Sequence, residues 1–311
     1  MTLPPPSATL ALASARSPLD GLAALGEPLG SVFFQRALLG GGLVAVLCAV
    51  VGTWVVIRGM AFLGEALGHG MLPGVALATV IGFPVLLGGA VSAVAMSLGV
   101  GALQRRGRMS YDTSIGLLFV AMLAAGVIIV SHSGSFATDV STILFGEILA
   151  IGTGDLVVLA VATVLGLVVA ALAHRPLVAL AVDPRVAATL GLRPRLAQGV
   201  LVGLVTLAVV ASYQAVGSLL VVGLLLAPAV AASPWTTRIP TRMLLASGIG
   251  ITSVIGGLFV SWFAATAAGA TVAAAAIGAA AMSAGIHAAR AGWLACRERA
   301  ADRRPAAIPV S

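Results

Sequence analysis

Long runs of apolar residues, separated by short polar connections, make up most of this chain. A helix of about 20 apolar residues spans the roughly 30 Å hydrocarbon core of a bilayer. Applied along the sequence, this length predicts nine candidate spans, at 37–57, 59–82, 84–103, 111–131, 155–173, 197–216, 218–232, 243–263 and 270–289. The seventh is short, and Gly217 and Pro228 indicate a broken or partial helix there. The pattern therefore predicts an all-α, polytopic membrane helical bundle of eight or nine spans.

The same pattern divides the chain into three regions. Residues 1–35 contain three consecutive prolines and lack the basic start of a cleaved signal peptide, so we interpret them as a lead-in lying outside or on the membrane surface. Residues 36–290 are predicted to form the transmembrane domain, with a cytoplasmic coupling loop at 174–196. Residues 291–311 are predicted to form a basic cytoplasmic tail.

Composition and charge agree with a membrane protein. Hydrophobic residues make up 60% of the chain and charged residues only 9%, whereas a soluble protein is about half apolar and about a quarter charged. The net charge of +7 comes from arginine alone. If the 104–108 loop is cytoplasmic, 15 of the 17 arginines lie on that side, and the other two are Arg16 in the lead-in and Arg36 directly after it. This split places the N-terminus outside and the C-terminus inside, and it argues against nucleic-acid binding.

The second predicted span contains two ionisable residues, Glu65 and His69, in the stretch FLGEALGHGMLPGVALA. Four residues apart, they share one face of a helix, and His69 lies about 15 Å into the membrane from Gly59. A charge at that depth costs at least ~2.5 kcal/mol, so the pair is not expected to face lipid. A carboxylate and an imidazole suit Zn²⁺ or Mn²⁺, although two ligands do not complete a coordination shell. On spacing alone, hydrogen bonding of the pair to each other or to a neighbouring helix is equally consistent.

A helix break is predicted directly after this pair. Leu72, Pro73 and Gly74 weaken the helix enough to open backbone carbonyls near His69.

A longer stretch around the pair, RGMAFLGEALGHGMLPGVALA at 58–78, resembles the signature of permease subunits of bacterial ABC importers for manganese, zinc and iron. Four further blocks resemble the same family in the same order: Asp112-Thr113-x-x-Gly116, LFGEILAI at 144–151, VDPRVAATLGL at 182–192 and VGSLLVVGLLLAPAVAA at 216–232. The likeness extends from about Arg36 to Gly285. Two departures stand out, because Glu65 occupies a position where aspartate is commoner, and Ala265 and Ala267 stand where the family usually has Asp and Pro.

The resemblance implies partners and a cargo. It implies a cytoplasmic ABC ATPase subunit that holds the ATP, an extracytoplasmic metal-binding protein and a second permease protomer, in a bacterial plasma membrane. The transported ion is expected to be Mn²⁺ or Zn²⁺, bound by Glu65 and His69, with no permanently bound cofactor. The chain has no Walker A sequence, so we expect a transport subunit without its own ATPase site.

A short cytoplasmic helix is predicted within the coupling loop. Asp183 and Pro184 have the types of an N-cap and a first helical residue, and Gly191 marks the end. By resemblance this is the segment that contacts the ATPase, and its residues are Asp183, Pro184, Arg185, Val186, Ala187, Ala188, Leu190 and Gly191. The alternative is an amphipathic loop anchored at lipid headgroups.

Three further acidic residues are weaker candidates for a metal path. Asp112, at the inner end of the fourth span, suits an N-cap better than a metal ligand. Asp139 and Glu147 lie on the predicted outer side, where they could attract a cation, although solvated loop residues are the commoner case.

Two other functions are consistent with parts of this pattern. A gradient-driven secondary transporter would use Glu65 as a proton carrier. An intramembrane metalloprotease is disfavoured, because the chain lacks H-E-x-x-H.

Overall fold

The computed structural model describes residues 27–105, 110–131, 148–183 and 192–302. Ten α-helices of nine or more residues account for most of these, and no strand occurs among the described residues. They are α1 (Val32–Ile57), α2 (Ala61–Gly70), α3 (Leu72–Ile81), α4 (Val85–Arg105), α5 (Tyr111–Ser131), α6 (Thr153–Leu172), α7 (His174–Val182), α8 (Pro194–Ala232), α9 (Ile239–Ala264) and α10 (Ala268–Asp302). The predicted all-α class is confirmed.

Seven segments of the described helices are long and apolar enough to cross a membrane. They are Val32–Ile57, Val85–Gln104, Asp112–Ser131, Thr153–Leu172, Pro194–Tyr213, Ile239–Ala264 and Ala268–Trp293. The other two predicted spans are shorter or divided. Leu220–Trp235 is a shorter apolar helix, and the span predicted at 59–82 consists of α2 and α3. Each of the nine predicted spans therefore has a helical counterpart, and the chain is a multi-pass membrane protein.

Helix α8 changes direction at Gly217, where the sequence predicted a broken or partial helix. Gly217 has φ 74° and ψ 163°, a conformation that a residue with a Cβ rarely adopts. Pro228 lies within the second half of α8 without ending the helix.

Helix α1 forms the centre of the bundle and packs against α6, α8 and α9. Its Phe34, Leu47 and Trp54 side chains are completely buried. At Gly52 the backbones of α1 and α8 touch, because an added Cβ would meet the carbonyl oxygen of Leu225. Large apolar side chains on the outer helices are exposed, as expected for surfaces that face lipid.

Helix α7 was not expected, since the sequence suggested a loop from residue 174 to 196. The tertiary structure buries Leu177 and Leu180 on one side of this nine-residue helix. The segment predicted as the coupling helix, 184–191, lies outside the described residues, as do residues 1–26 of the lead-in and 303–311 of the tail.

Candidate metal site

A tight turn fixes α2 directly to the end of α1. Gly59 has φ +65°, and its N–H donates to the Val56 carbonyl at 3.1 Å. The Met60 N–H donates to the Val55 carbonyl at 3.0 Å, which completes a Schellman motif around Arg58. Helix α2 begins one residue later, so its position is set by the central helix of the bundle.

Glu65 and His69 lie on the less buried face of α2. Glu65 is exposed and His69 is half-buried, while Leu63 and Leu67 on the opposite face are completely buried. Within the described parts of the chain, neither Glu65 nor His69 has a side-chain hydrogen bond or ion pair. The alternative that the pair bonds to each other or to a neighbouring helix has no support in these residues.

The aromatic ring of Phe119, in α5, packs against the imidazole of His69. The Phe119 ring contacts the His69 ring edge to face, with centroids 5.6 Å apart and an angle of 71°. Phe119 also contacts Phe62 at 5.6 Å in the same manner. Edge-to-face packing restricts the orientation of the imidazole without using its nitrogen atoms, which stay free to coordinate. No sequence pattern indicates this contact, because Phe119 lies in a different span.

The interruption of the predicted second span lies at Met71, between α2 and α3, and Leu72, Pro73 and Gly74 occupy the first turn of α3. Met71 itself keeps helical dihedral angles, φ −75° and ψ −23°, so the backbone stays close to helical at the interruption. The Gly70 carbonyl accepts a hydrogen bond from Ser92 of α4 at 2.7 Å. That carbonyl is therefore already occupied by a protein donor.

The remaining candidates are distributed over the molecule. Asp112 is exposed in the first turn of α5, and it is not the N-cap, because Ser110 Oγ accepts the Thr113 N–H at 3.1 Å. The N-cap prediction for Asp112 is therefore wrong, since the hydroxyl two residues earlier satisfies the free N–H group. Asp139 and Glu147 lie outside the described residues.

Asp183 is the only predicted coupling residue that the structure describes, and it follows the end of α7. Its backbone is extended, with φ −159° and ψ 128°, and its N–H donates to the Ala179 carbonyl at 3.2 Å. Pro184, Arg185, Val186, Ala187, Ala188, Leu190 and Gly191 lie outside the described residues.

One protomer supplies too few ligands for a closed metal site. No group of three or more His, Cys, Asp or Glu side chains that could hold a metal occurs in the described ranges. A multi-pass helical bundle with an unpaired carboxylate and imidazole on one face of an interrupted span is the arrangement of a membrane transport protein.

The chain belongs to the ABC 3 transport family, whose model matches residues 31–285. This match confirms the family resemblance inferred from the sequence.

Known relatives match over most of their length. The manganese transport system membrane protein MntC of Listeria innocua is 34% identical over 240 residues, which cover 77% of this chain and 85% of that protein. A protein of Haemophilus influenzae described as a probable iron transport system membrane protein is 30% identical over 246 residues, covering 79% of this chain and 90% of that protein.

Among solved structures, PsaBC from Streptococcus pneumoniae in complex with Fab superposes with a TM-score of 0.75 at 28% sequence identity. The superposition covers 84% of this chain and 95% of the matched chain. The predicted fold of an ABC importer permease is thereby confirmed.

Proposed function

We propose that this protein is the membrane permease subunit of an ATP-driven importer for divalent transition metal ions, with manganese or zinc as cargo. The observation that carries the proposal is the pair Glu65 and His69, aligned on one face of α2 without a side-chain hydrogen bond or ion pair among the described residues. Carboxylate oxygen and imidazole nitrogen together suit Mn²⁺ and Zn²⁺. The names of the relatives, which specify manganese and iron transport, support a transition metal as the cargo class.

A second permease protomer completes the site in this proposal. Glu65 is exposed on a single protomer, and an ionised carboxylate facing lipid is costly. A two-fold axis beside α2 would cover that face and bring a second carboxylate and a second imidazole to the same ion. Four protein ligands of these types are a suitable number for a transition metal.

ATP hydrolysis takes place on a separate cytoplasmic ABC ATPase subunit that docks on Asp183 and the 184–191 segment. An extracytoplasmic metal-binding protein delivers the ion, and Asp139 and Glu147 on the outer side and Asp112 on the inner side are proposed to line its path. The protein would lie in a bacterial plasma membrane with the N-terminus outside and the C-terminus in the cytoplasm, as the arginine distribution predicts. Transport would follow from bringing the two Glu65 and His69 faces together and separating them again.

Uptake into vesicles containing the reconstituted complex tests this function. We expect Mn²⁺ or Zn²⁺ uptake that requires ATP, and we expect His69→Ala to reduce it to background because an imidazole ligand is lost. His287→Ala is the matched control, since His287 is exposed on α10, away from α2.

Two results of the same assay would count against the proposal. Normal metal uptake by His69→Ala would eliminate the metal site. Uptake driven by a proton gradient in the absence of ATP would favour the secondary-transporter alternative, in which Glu65 carries a proton.

A further inference from the structure

Arg58, the residue after α1, contacts two elements that lie far from it in the sequence. Its Nη1 donates to the Leu180 carbonyl at 2.7 Å, and its Nη2 donates to Gln198 Oε1 at 3.5 Å. Leu180 lies in the last turn of α7, and Gln198 lies near the start of α8. The side chain is half-buried, so this contact is partly shielded from solvent.

The two elements that Arg58 contacts are the ones that flank the predicted coupling segment. Helix α7 ends at Val182, two residues after Leu180, and α8 begins at Pro194, four residues before Gln198. The ring of His174, at the other end of α7, contacts the Trp54 ring of α1 at 5.5 Å. Helix α7 is therefore held against the end of α1 at both of its termini.

A further hydrogen bond connects this junction to α2, the helix that contains Glu65 and His69. Gln198 Nε2 donates to Met60 Sδ at 3.4 Å, and Met60 is the residue from which α2 begins. The Met60 carbonyl in turn accepts the Leu63 N–H at 3.0 Å in the first turn of α2. Glu65 follows two residues after Leu63, and the Schellman motif at Gly59 makes the connection to Arg58 short and stiff.

Capping of α7 alone does not account for this arrangement. A guanidinium at the end of a helix satisfies a carbonyl that lacks an N–H partner and interacts favourably with the helix dipole. The bond from Arg58 to Leu180 would be enough for that purpose. The additional contacts of Gln198 with Arg58 and Met60 tie α7, α8 and α2 into one unit.

We propose that Arg58, together with Gln198, is a positioning residue that transmits movement of α7 and of the first turn of α8 to the first turn of α2. Movement at that turn changes the positions of Glu65 and His69. The inference rests on the proposed function, because an ATPase docked on the coupling segment supplies the movement. Arg58 acts through α2 and does not touch the ion.

The variant Arg58→Met tests the link, because methionine keeps an apolar stem in the junction but has no N–H donors. In vesicles containing the complete complex, we expect the number of metal ions transported per ATP hydrolysed to fall about tenfold or more, because the substitution removes both hydrogen bonds of the guanidinium, to Leu180 and to Gln198. ATP hydrolysis should stay close to wild type, whereas the loss of these hydrogen bonds is expected to lower the midpoint of thermal unfolding.

A conservative variant distinguishes a positioning role of Arg58 from a purely structural role. Arg58→Lys keeps the positive charge and can reach one acceptor, but an ammonium does not reproduce the two-acceptor geometry of a guanidinium. We expect a transport ratio between those of wild type and Arg58→Met. Gln198→Leu should lower the ratio of metal transported to ATP hydrolysed as Arg58→Met does. If Arg58→Met does not fold, Arg58→Lys and Gln198→Leu test the proposed link.

Arg242 provides the matched control. Its Nη2 donates to the carbonyls of Ser233 at 3.3 Å and Thr236 at 3.1 Å, both in the connection that precedes its own helix. In both arginines Nε is buried and has no acceptor among the described residues. Arg242→Met should therefore keep the wild-type ratio of metal to ATP.

Hydrogen exchange of residues 61–69 gives a readout that does not depend on the cargo. In the wild-type complex we expect ATP to change exchange in α2, and in Arg58→Met we expect that change to disappear. An unaltered exchange response together with a wild-type transport ratio in Arg58→Met would overturn the inference. Absence of ATP-driven metal uptake in the wild type would instead count against the proposed function, while the exchange measurement would still test the link.

Discussion

At the scale of single residues, Leu225 of α8 determines how α1 and α2 pack. Its carbonyl oxygen lies where a Cβ on Gly52 would be, and its side chain lies where a Cβ on Gly64 would be. The buried face of α2 therefore rests on Leu225, and Glu65 lies exposed on the other side of the helix. Two glycines at this contact allow the backbones to approach closely, as small residues commonly do between membrane helices.

Gly52→Ala tests this contact. We expect the added methyl group to force α1 and α8 apart and to lower the free energy of unfolding by about 1–3 kcal/mol. Gly42→Ala in the same helix is the control, because an added Cβ there meets nothing within 4 Å. Thermal unfolding of the protein in detergent measures both changes, and equal midpoints for the two variants would refute the close contact.

At the scale of elements, two local departures from regular helix lie beside the candidate site. The interruption at Met71 separates α2 from α3, and Gly217 divides α8 so that its second half packs beside α2. Helix α3 is in turn held against α4, because added Cβ atoms at Gly74 and Gly88 would each meet the carbonyl oxygen of the other glycine. The position of α2, which carries the proposed metal ligands, therefore depends on the geometry of these neighbouring helices.

Gly217→Ala tests the break in α8. The φ of 74° at Gly217 is unfavourable for alanine, so we expect a loss of about 1–3 kcal/mol of stability. Displacement of the second half of α8 should also reduce metal uptake, because that half supports α2. Gly203→Ala, in open space on the first half of α8, should leave the unfolding midpoint and uptake unchanged. A Gly217→Ala protein with a wild-type midpoint and uptake would show that the break can relax.

At the scale of the whole molecule, the surface next to α2 differs from the other membrane-facing surfaces. Most exposed residues of the outer helices are apolar, such as Leu172, which is 78% exposed. The exposed face of α2 instead combines Phe62 with Glu65. An exposed carboxylate is costly in lipid, so this composition is consistent with the proposed second permease protomer covering this face.

Cross-linking between protomers tests that interface. With Cys296 replaced by serine and Cys48 left buried in the core, Phe62→Cys should be linked to its copy by a short bifunctional thiol reagent. Leu172→Cys on α6 should give no such product, since α6 lies away from the proposed two-fold axis. A dimer band with Leu172→Cys but not with Phe62→Cys would place the interface elsewhere.

The sequence by itself determined the features that depend on local patterns. The spans follow from apolar length, and the break at Gly217 follows from residue type. The shared face of Glu65 and His69 follows from the helical period. Each of these requires knowledge of only a few consecutive residues.

Only the tertiary structure decided which residues meet. The bond from Arg58 to Leu180 joins residues 122 positions apart, and Phe119 reaches His69 from another span. Helix α7 forms where the sequence suggested a loop, because tertiary packing buries Leu177 and Leu180. Apolar periodicity shows which segments enter the membrane, but in such a uniformly apolar chain it does not specify which helices become neighbours, since that choice depends on the shape of side chains at each contact.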